Sequence, residues 1–128
     1  MAATVKAICI HQTGGPEVLS WEDVAIGEPG PGEVRLRHTA VGLNFIDIYH
    51  RSGHYPLPSY PAALGMEGAG VIEAVGRGVR DLKKGQRVAY ATIPLGSYSE
   101  ARLIAADRVV PLTPGVGDEF AAAVMLKG

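Results

Sequence analysis

The apolar residues of this chain come in short runs, and most runs are closed by glycine or proline. Seventeen glycines and nine prolines are spread over 128 residues, about a fifth of the chain. Proline removes a backbone donor and glycine raises the entropic cost of ordering, so long helices have little room. Many short strands joined by turns are what such spacing favours. The glycines stand between apolar runs without a repeat, which excludes low complexity. Thr4 to His11, Val18 to Val24, Glu33 to Val41, Gly68 to Gly76, Gln86 to Ala91, Gly96 to Ala105 and Val109-Val110 read as strands. In Glu33 to Val41, Val34, Leu36 and His38 fall on one face and Arg35 and Arg37 on the other, as in a half-buried strand. Strands at this spacing predict an all-β barrel or sandwich.

Two stretches depart from that pattern. Asn44 follows the turn at Gly42-Leu43 and is placed to cap a helix over Phe45 to Arg51, which Gly53 stops and Pro56 keeps from resuming. Within it, Asp47 and Arg51 stand at i, i+4 and are expected to pair. Asp118 to Lys127 is Ala-rich, with acids at its start and Lys127 at its end, as the helix dipole prefers. It has almost no polar face and should be buried.

Composition narrows the function. A formal charge of −1 gives no reason to expect nucleic acid or a membrane surface as partner. Lys83-Lys84 with Arg77, Arg80 and Arg87 is interrupted by Asp81 and reads as a solvated loop. No apolar run approaches the ~20 residues that span a bilayer, and the N-terminus does not read as a signal peptide. Cys9 is the only cysteine and reads as a buried thiol, so no disulfide framework exists. A cytoplasmic protein fits these features.

Gly42-Leu43-Asn44-Phe45-Ile46-Asp47, with Tyr49, Arg51, Ser52-Gly53 and Tyr55-Pro56, resembles the active-site segment of NADPH:quinone oxidoreductases, the zeta-crystallin-like branch of the medium-chain dehydrogenase/reductase superfamily. Gly65-Met66-Glu67-Gly68-Ala69-Gly70, Val75-Gly76, Gly85-Gln86-Arg87-Val88 and Gly96-Ser97-Tyr98-Ser99-Glu100 resemble the same family, in order, over nearly the whole chain. The resemblance implies a mainly β fold: a GroES-like β-barrel with a short helix after Asn44 and a C-terminal linker helix, and without the family's Rossmann domain. Residues 1–128 would then be the substrate-side domain, cut short before the nucleotide-binding domain, and inactive alone.

The implied parent activity is transfer of hydride or electrons from NADPH to a quinone or an α,β-unsaturated carbonyl. Tyr49 and Tyr55 would flank the substrate as catalytic residues. Asn44, Phe45, Ile46, Asp47 and Tyr49 would meet the nicotinamide half of NADPH. A phenol has a pKa near ~10, stays protonated at neutral pH and can donate to a carbonyl or quinone oxygen. The resemblance further implies a homo-oligomer. The alternatives are an enoyl-thioester reductase of the same superfamily, or a non-catalytic GroES-like binding module of the co-chaperonin type.

Metal and phosphate motifs are weaker. The superfamily's zinc pattern, Gly-His-Glu, is met by Gly65-Met66-Glu67, and Asn44 stands where a ligand Cys would be. Thioether and amide suit zinc poorly, and one cysteine cannot build a four-cysteine lobe. His50 and His54 have metal-pair spacing, but Gly53 breaks the helix between them. No metal is therefore expected. Gly68-Ala69-Gly70, Gly76-Arg77-Gly78 and Gly115-Val116-Gly117 each lack the third glycine of a dinucleotide fingerprint and the βαβ unit around it. NADPH is accordingly not expected to bind appreciably to this chain alone, and the apolar C-terminal helix, lacking a partner surface, is expected to drive self-association.

Overall fold

The computed structural model describes residues 3–126. In chain order it contains β1 (Ala3–Ile10), β2 (Ser20–Ile26), β3 (Glu33–Val41), α1 (Phe45–Ser52), β4 (Ala62–Ala63), β5 (Glu67–Val75), β6 (Arg87–Ala91), β7 (Ala101–Ala105), β8 (Val110–Pro111) and α2 (Asp118–Val124). β2, β1 and β4 form one sheet, and β7, β3, β5, β6 and β8 a second. All these pairings are antiparallel, and no βαβ unit occurs among the described residues. The mainly β expectation holds, with one correction: the sheets do not close into a barrel. They are joined by an isolated bridge, Ala7 to Ser99, and by backbone bonds from Ile8 N–H to Tyr98 O at 2.8 Å and Glu100 N–H to Lys6 O at 2.9 Å.

The joining segment is also where the strand reading overreached. Gly96 to Ala105 is extended as a ladder only over β7. Ser99 explains the interruption: its hydroxyl donates toward the carbonyls of Gly96 and Ala101, at 2.8 and 3.1 Å, so local bonds compete with the sheet.

β3 alternates as its sequence predicts. Val34 and Leu36 are fully buried and pack with Ile72, Val88, Tyr90 and Ile104 in the main core. On the outer face, Arg35 and Arg37 both pair with Glu73 of β5. The register of β3 on β5 slips between His38 and Ala40, which brings Val41 opposite Gly68 and lets Gly42 N–H reach the carbonyl of Glu67 at 2.9 Å. That slip sets where the chain leaves the sheet to begin α1.

α2 is shorter than its sequence suggests, and Lys127 lies outside the described residues. Its burial is one-sided. Ala121 and Ala122 rest on Ala69 and Ala89, where small side chains let the helix approach the sheet, while Phe120 is 64% exposed. The apolar face thus has a partner surface within this domain. Asp118 secures the helix start by accepting from Thr39 at 2.7 Å and Arg87 at 2.9 Å. These bonds, the one from Thr39 foremost, hold its carboxyl below the usual value. No helix among the described residues is long and apolar enough to cross a membrane.

Candidate active site

α1 starts as expected and is fastened more tightly than its sequence indicates. Asn44 is the extended N-cap and Asp47 the N3 residue of a capping box. The firm arm is Asp47 Oδ2, which accepts the Asn44 N–H at 3.1 Å. The reciprocal arm falls short of hydrogen-bond geometry, leaving Asn44 Oδ1 buried and unpartnered. Gly53 ends the helix in the left-handed conformation, φ +92°, where a side chain would be strained. Gly42 is required for a different reason. A Cβ there would lie 2.3 Å from the Ala122 carbonyl oxygen and 2.5 Å from Glu67 Oε1.

Three buried polar residues, Asn44, Asp47 and Glu67, meet at this helix start. Glu67 is fully buried at the beginning of β5; its Oε1 accepts from Asn44 Nδ2 at 2.8 Å and its Oε2 from the Leu126 N–H at 2.6 Å. Asp47 Oδ2 also accepts from the Tyr98 hydroxyl at 2.5 Å. Burial, reinforced by that bond, pushes the Tyr98 phenol far above its ordinary range, so its proton stays in place. Asn44 Oδ1, Asp47 Oδ1 and His50 Nδ1 are left buried without a partner. Each such atom costs ~1–3 kcal/mol if nothing ever satisfies it. Burial also lowers the His50 pKa, against the pull of Asp47.

A cavity of about 350 Å³ opens beside these groups. Asn44, Asp47, Arg51 and Tyr98 supply its polar wall, and Leu19, Leu43, Phe45, Ile48 and Leu64 its apolar one. Phe45 is 78% exposed at the rim; Ile46 is half-buried and not part of the wall.

Tyr49 and Tyr55 are brought together, but not in that wall. Their rings stack edge to face at 5.1 Å, and the His54 ring contacts each, at 5.0 and 5.1 Å. Both phenols are partly exposed, and the Tyr55 N–H donates to the Tyr49 carbonyl at 3.1 Å. The aromatic trio is thus a second feature beside the cavity: Tyr49 belongs to α1, and His54 and Tyr55 to the segment that follows its Gly53 cap. The i, i+4 pair expected of Asp47 and Arg51 does not form. Asp47 is turned to Tyr98, and Arg51 Nε donates to the Gly14 carbonyl at 3.2 Å.

Two site residues escaped the sequence reading. Tyr98 falls within the strand expected over Gly96 to Ala105, yet it leaves the ladder and lines the cavity. Glu67 stood out only as part of a zinc-type pattern. Both lie in segments that carry the family resemblance, the one signal available for them.

The chain resembles known proteins throughout this region. Residues 30–115 match the alcohol dehydrogenase GroES-like domain family. A quinone oxidoreductase of Pseudomonas aeruginosa is 59% identical over 96% of this chain and 38% of its own length. A 2-haloacrylate reductase of Burkholderia is 47% identical over 97% of this chain and 39% of its own length. The crystal structure of the Escherichia coli quinone oxidoreductase complexed with NADPH superposes with a TM-score of 0.93 at 44% identity, covering 95% of this chain and 37% of that one. The chain thus spans less than two fifths of the length of the curated relatives it matches.

Proposed function

Because the chain belongs to the alcohol dehydrogenase GroES-like domain family, we propose that it is the substrate-side domain of an NADPH-dependent, zinc-independent reductase of quinones and α,β-unsaturated carbonyls. One observation carries this reading: the aromatic trio of Tyr49, His54 and Tyr55 stands beside a cavity lined by Asn44, whose buried amide oxygen has no partner within the protein. Flat aromatic faces suit a planar quinone, and buried polar atoms without partners suit a ligand that completes them. The similarity to a 2-haloacrylate reductase supports an activated double bond as a second substrate type.

NADPH, when bound, supplies the hydride; the residues of this chain bind, orient and exclude water. The nicotinamide half fits what is here. Asn44 would hold it from the cavity's polar side, with Phe45, Ile46, Asp47 and Tyr49 on the same helix around it. The phosphate half has no seat among the described residues. The α2 start carries Asp118 and Glu119, which disfavour an anion, and no βαβ unit is present. Tyr49 and Tyr55 would flank the substrate and hold a hydrogen bond on its oxygen as charge develops there. The Tyr98 proton is committed to Asp47, so Tyr98 offers lone pairs and shape instead.

Zinc independence rests on the donor set. Both Glu67 oxygens already accept N–H bonds, and Met66 and Asn44 hold the other ligand positions. Among the described residues no three His, Cys, Asp or Glu side chains are grouped to hold a metal.

Titration with duroquinone, which has no open ring position for thiol addition, tests the substrate reading. NMR shifts should be confined to Tyr49, His54, Tyr55 and the cavity wall; shifts elsewhere, or none, overturn it. Calorimetry with NADPH should give no saturable heat at low-millimolar ligand, because half a site cannot offset the ~4–15 kcal/mol cost of association. A micromolar Kd would overturn the division of the cofactor between this domain and another.

A further inference from the structure

We propose that Glu67 is a positioning residue whose buried carboxylate fixes which way the Asn44 amide faces, so that Asn44 presents an acceptor, not a donor, to whatever enters the cavity. The inference rests on the reading above, in which Asn44 meets the nicotinamide half of the cofactor. An asparagine amide has two nearly equal-sized ends of opposite polarity, and its surroundings decide between them. Here the decision is unambiguous. Both Glu67 oxygens receive N–H bonds, from Asn44 Nδ2 at 2.8 Å and from the Leu126 backbone at 2.6 Å, so the carboxylate acts purely as an acceptor. Turning the amide over would set Oδ1 against Oε1, two lone-pair-bearing atoms in a place with no water to separate them.

Held that way, Asn44 has one N–H committed to Glu67 and turned away with it, and its Oδ1 left over, buried and without a partner. The side chain is 8% exposed and lines the cavity. Its matching ligand group is a donor: a carboxamide N–H or a sugar hydroxyl. A ligand presenting only acceptors is disfavoured at this point. Gly42 belongs to the same device, because any side chain there would meet Glu67 Oε1 and displace it from Asn44.

The two donors also explain why a carboxylate is needed. Glutamine at 67 would face two N–H donors with a single oxygen, leaving its own NH₂ opposed to one of them. Inverting the Asn44 amide relieves the clash and reverses the polarity shown to the ligand.

Asn44 is the only asparagine in the chain, so one NH₂ pair appears when asparagine alone carries ¹⁵N. With the whole 128-residue chain so labelled and glutamate ¹³C-labelled, the wild type should show a coupling between Asn44 Nδ2 and the Glu67 carboxyl carbon. One Nδ2 proton should be protected from exchange with water. In Glu67→Gln that protection should fall by on the order of tenfold, the worth of one charge-assisted bond. No coupling and two equally fast-exchanging protons in the wild type overturn the proposal, whether or not the variant folds. Unchanged protection in a folded Glu67→Gln overturns it as well. Reduced nicotinamide mononucleotide, the half of the cofactor at issue, should shift the Asn44 amide in the wild type and less in Glu67→Gln. An amide that is locked yet indifferent to the mononucleotide overturns the cofactor assignment and leaves the Glu67 lock standing.

Discussion

Two buried polar clusters sit on the same five-stranded sheet and end differently. In the first, His38 Nδ1 meets the Ser99 carbonyl at 2.8 Å and Nε2 the Tyr90 hydroxyl at 2.7 Å. Arg102 lies over the Tyr90 ring, 5.1 Å from its centroid, and donates to the Pro94 carbonyl at 2.8 Å and the Leu103 carbonyl at 3.2 Å. Those three side chains are complete within the protein, and the one buried atom left over beside them is the hydroxyl of Ser97. In the second, along α1, Asn44, Asp47 and His50 each keep one buried atom without a partner. A closed network rigidifies a core, whereas an incomplete one beside a cavity leaves atoms that a ligand or water can satisfy. The first cluster is read as scaffold and the second as site.

The largest test acts on the closed cluster. Burial, with Arg102 nearby, holds the His38 pKa at about 4 instead of 6.5. The unfolded chain takes up a proton as pH falls through 6.5, and the folded chain refuses it until about 4. Stability is therefore full above that window and lost through it, by roughly 3 kcal/mol. His50, lowered by burial, adds in the same direction. Urea midpoints measured from neutral pH down to about pH 4 should fall accordingly, and His38→Gln should flatten the slope. An equal slope in the variant removes the closed cluster as its source.

Next in size is a break on the site side. Gly42→Ala forces a methyl against the Ala122 carbonyl and Glu67. Overpacking of this kind costs about 2–3 kcal/mol, read as a lower denaturation midpoint. A neutral result would mean that the α1, β5 and α2 junction is looser than its distances indicate.

A matched pair of hydroxyl deletions sharpens the contrast. Tyr90→Phe strips His38 Nε2 of its partner in a place water does not reach, and should cost about 2 kcal/mol. Tyr98→Phe removes the same atom beside an open cavity, where water can replace it and Asp47 Oδ2 keeps the Asn44 N–H. It should cost about 1 kcal/mol or less. Equal losses in the two variants would erase the distinction between scaffold and site.

How much of this was legible in the sequence depends on the range of the interaction. The α1 boundaries were readable because a cap, a helix stop and a proline act within a few residues of one another. The Asp47 and Arg51 pairing was misread for the complementary reason. Spacing on a helix states who can meet, and a phenol 51 residues away in sequence offered Asp47 a bond of 2.5 Å. That Tyr49 and Tyr55 stand outside the wall of the Asn44 cavity was not legible, since it depends on which turn of α1 faces Leu19 and Leu64.

By itself the sequence determined what local backbone chemistry can encode: short strands between glycines and prolines, the alternation that buries Val34 and Leu36, and the helix from Asn44 to Gly53. Tertiary structure alone decided what depends on distant segments arriving at one point. It left the two sheets open, half-exposed α2, and placed Tyr98 at the cavity. It also put Glu67 between Asn44 and Leu126, because a buried carboxylate is held by whichever donors the packed chain brings to it, and those stand 23 and 59 residues away.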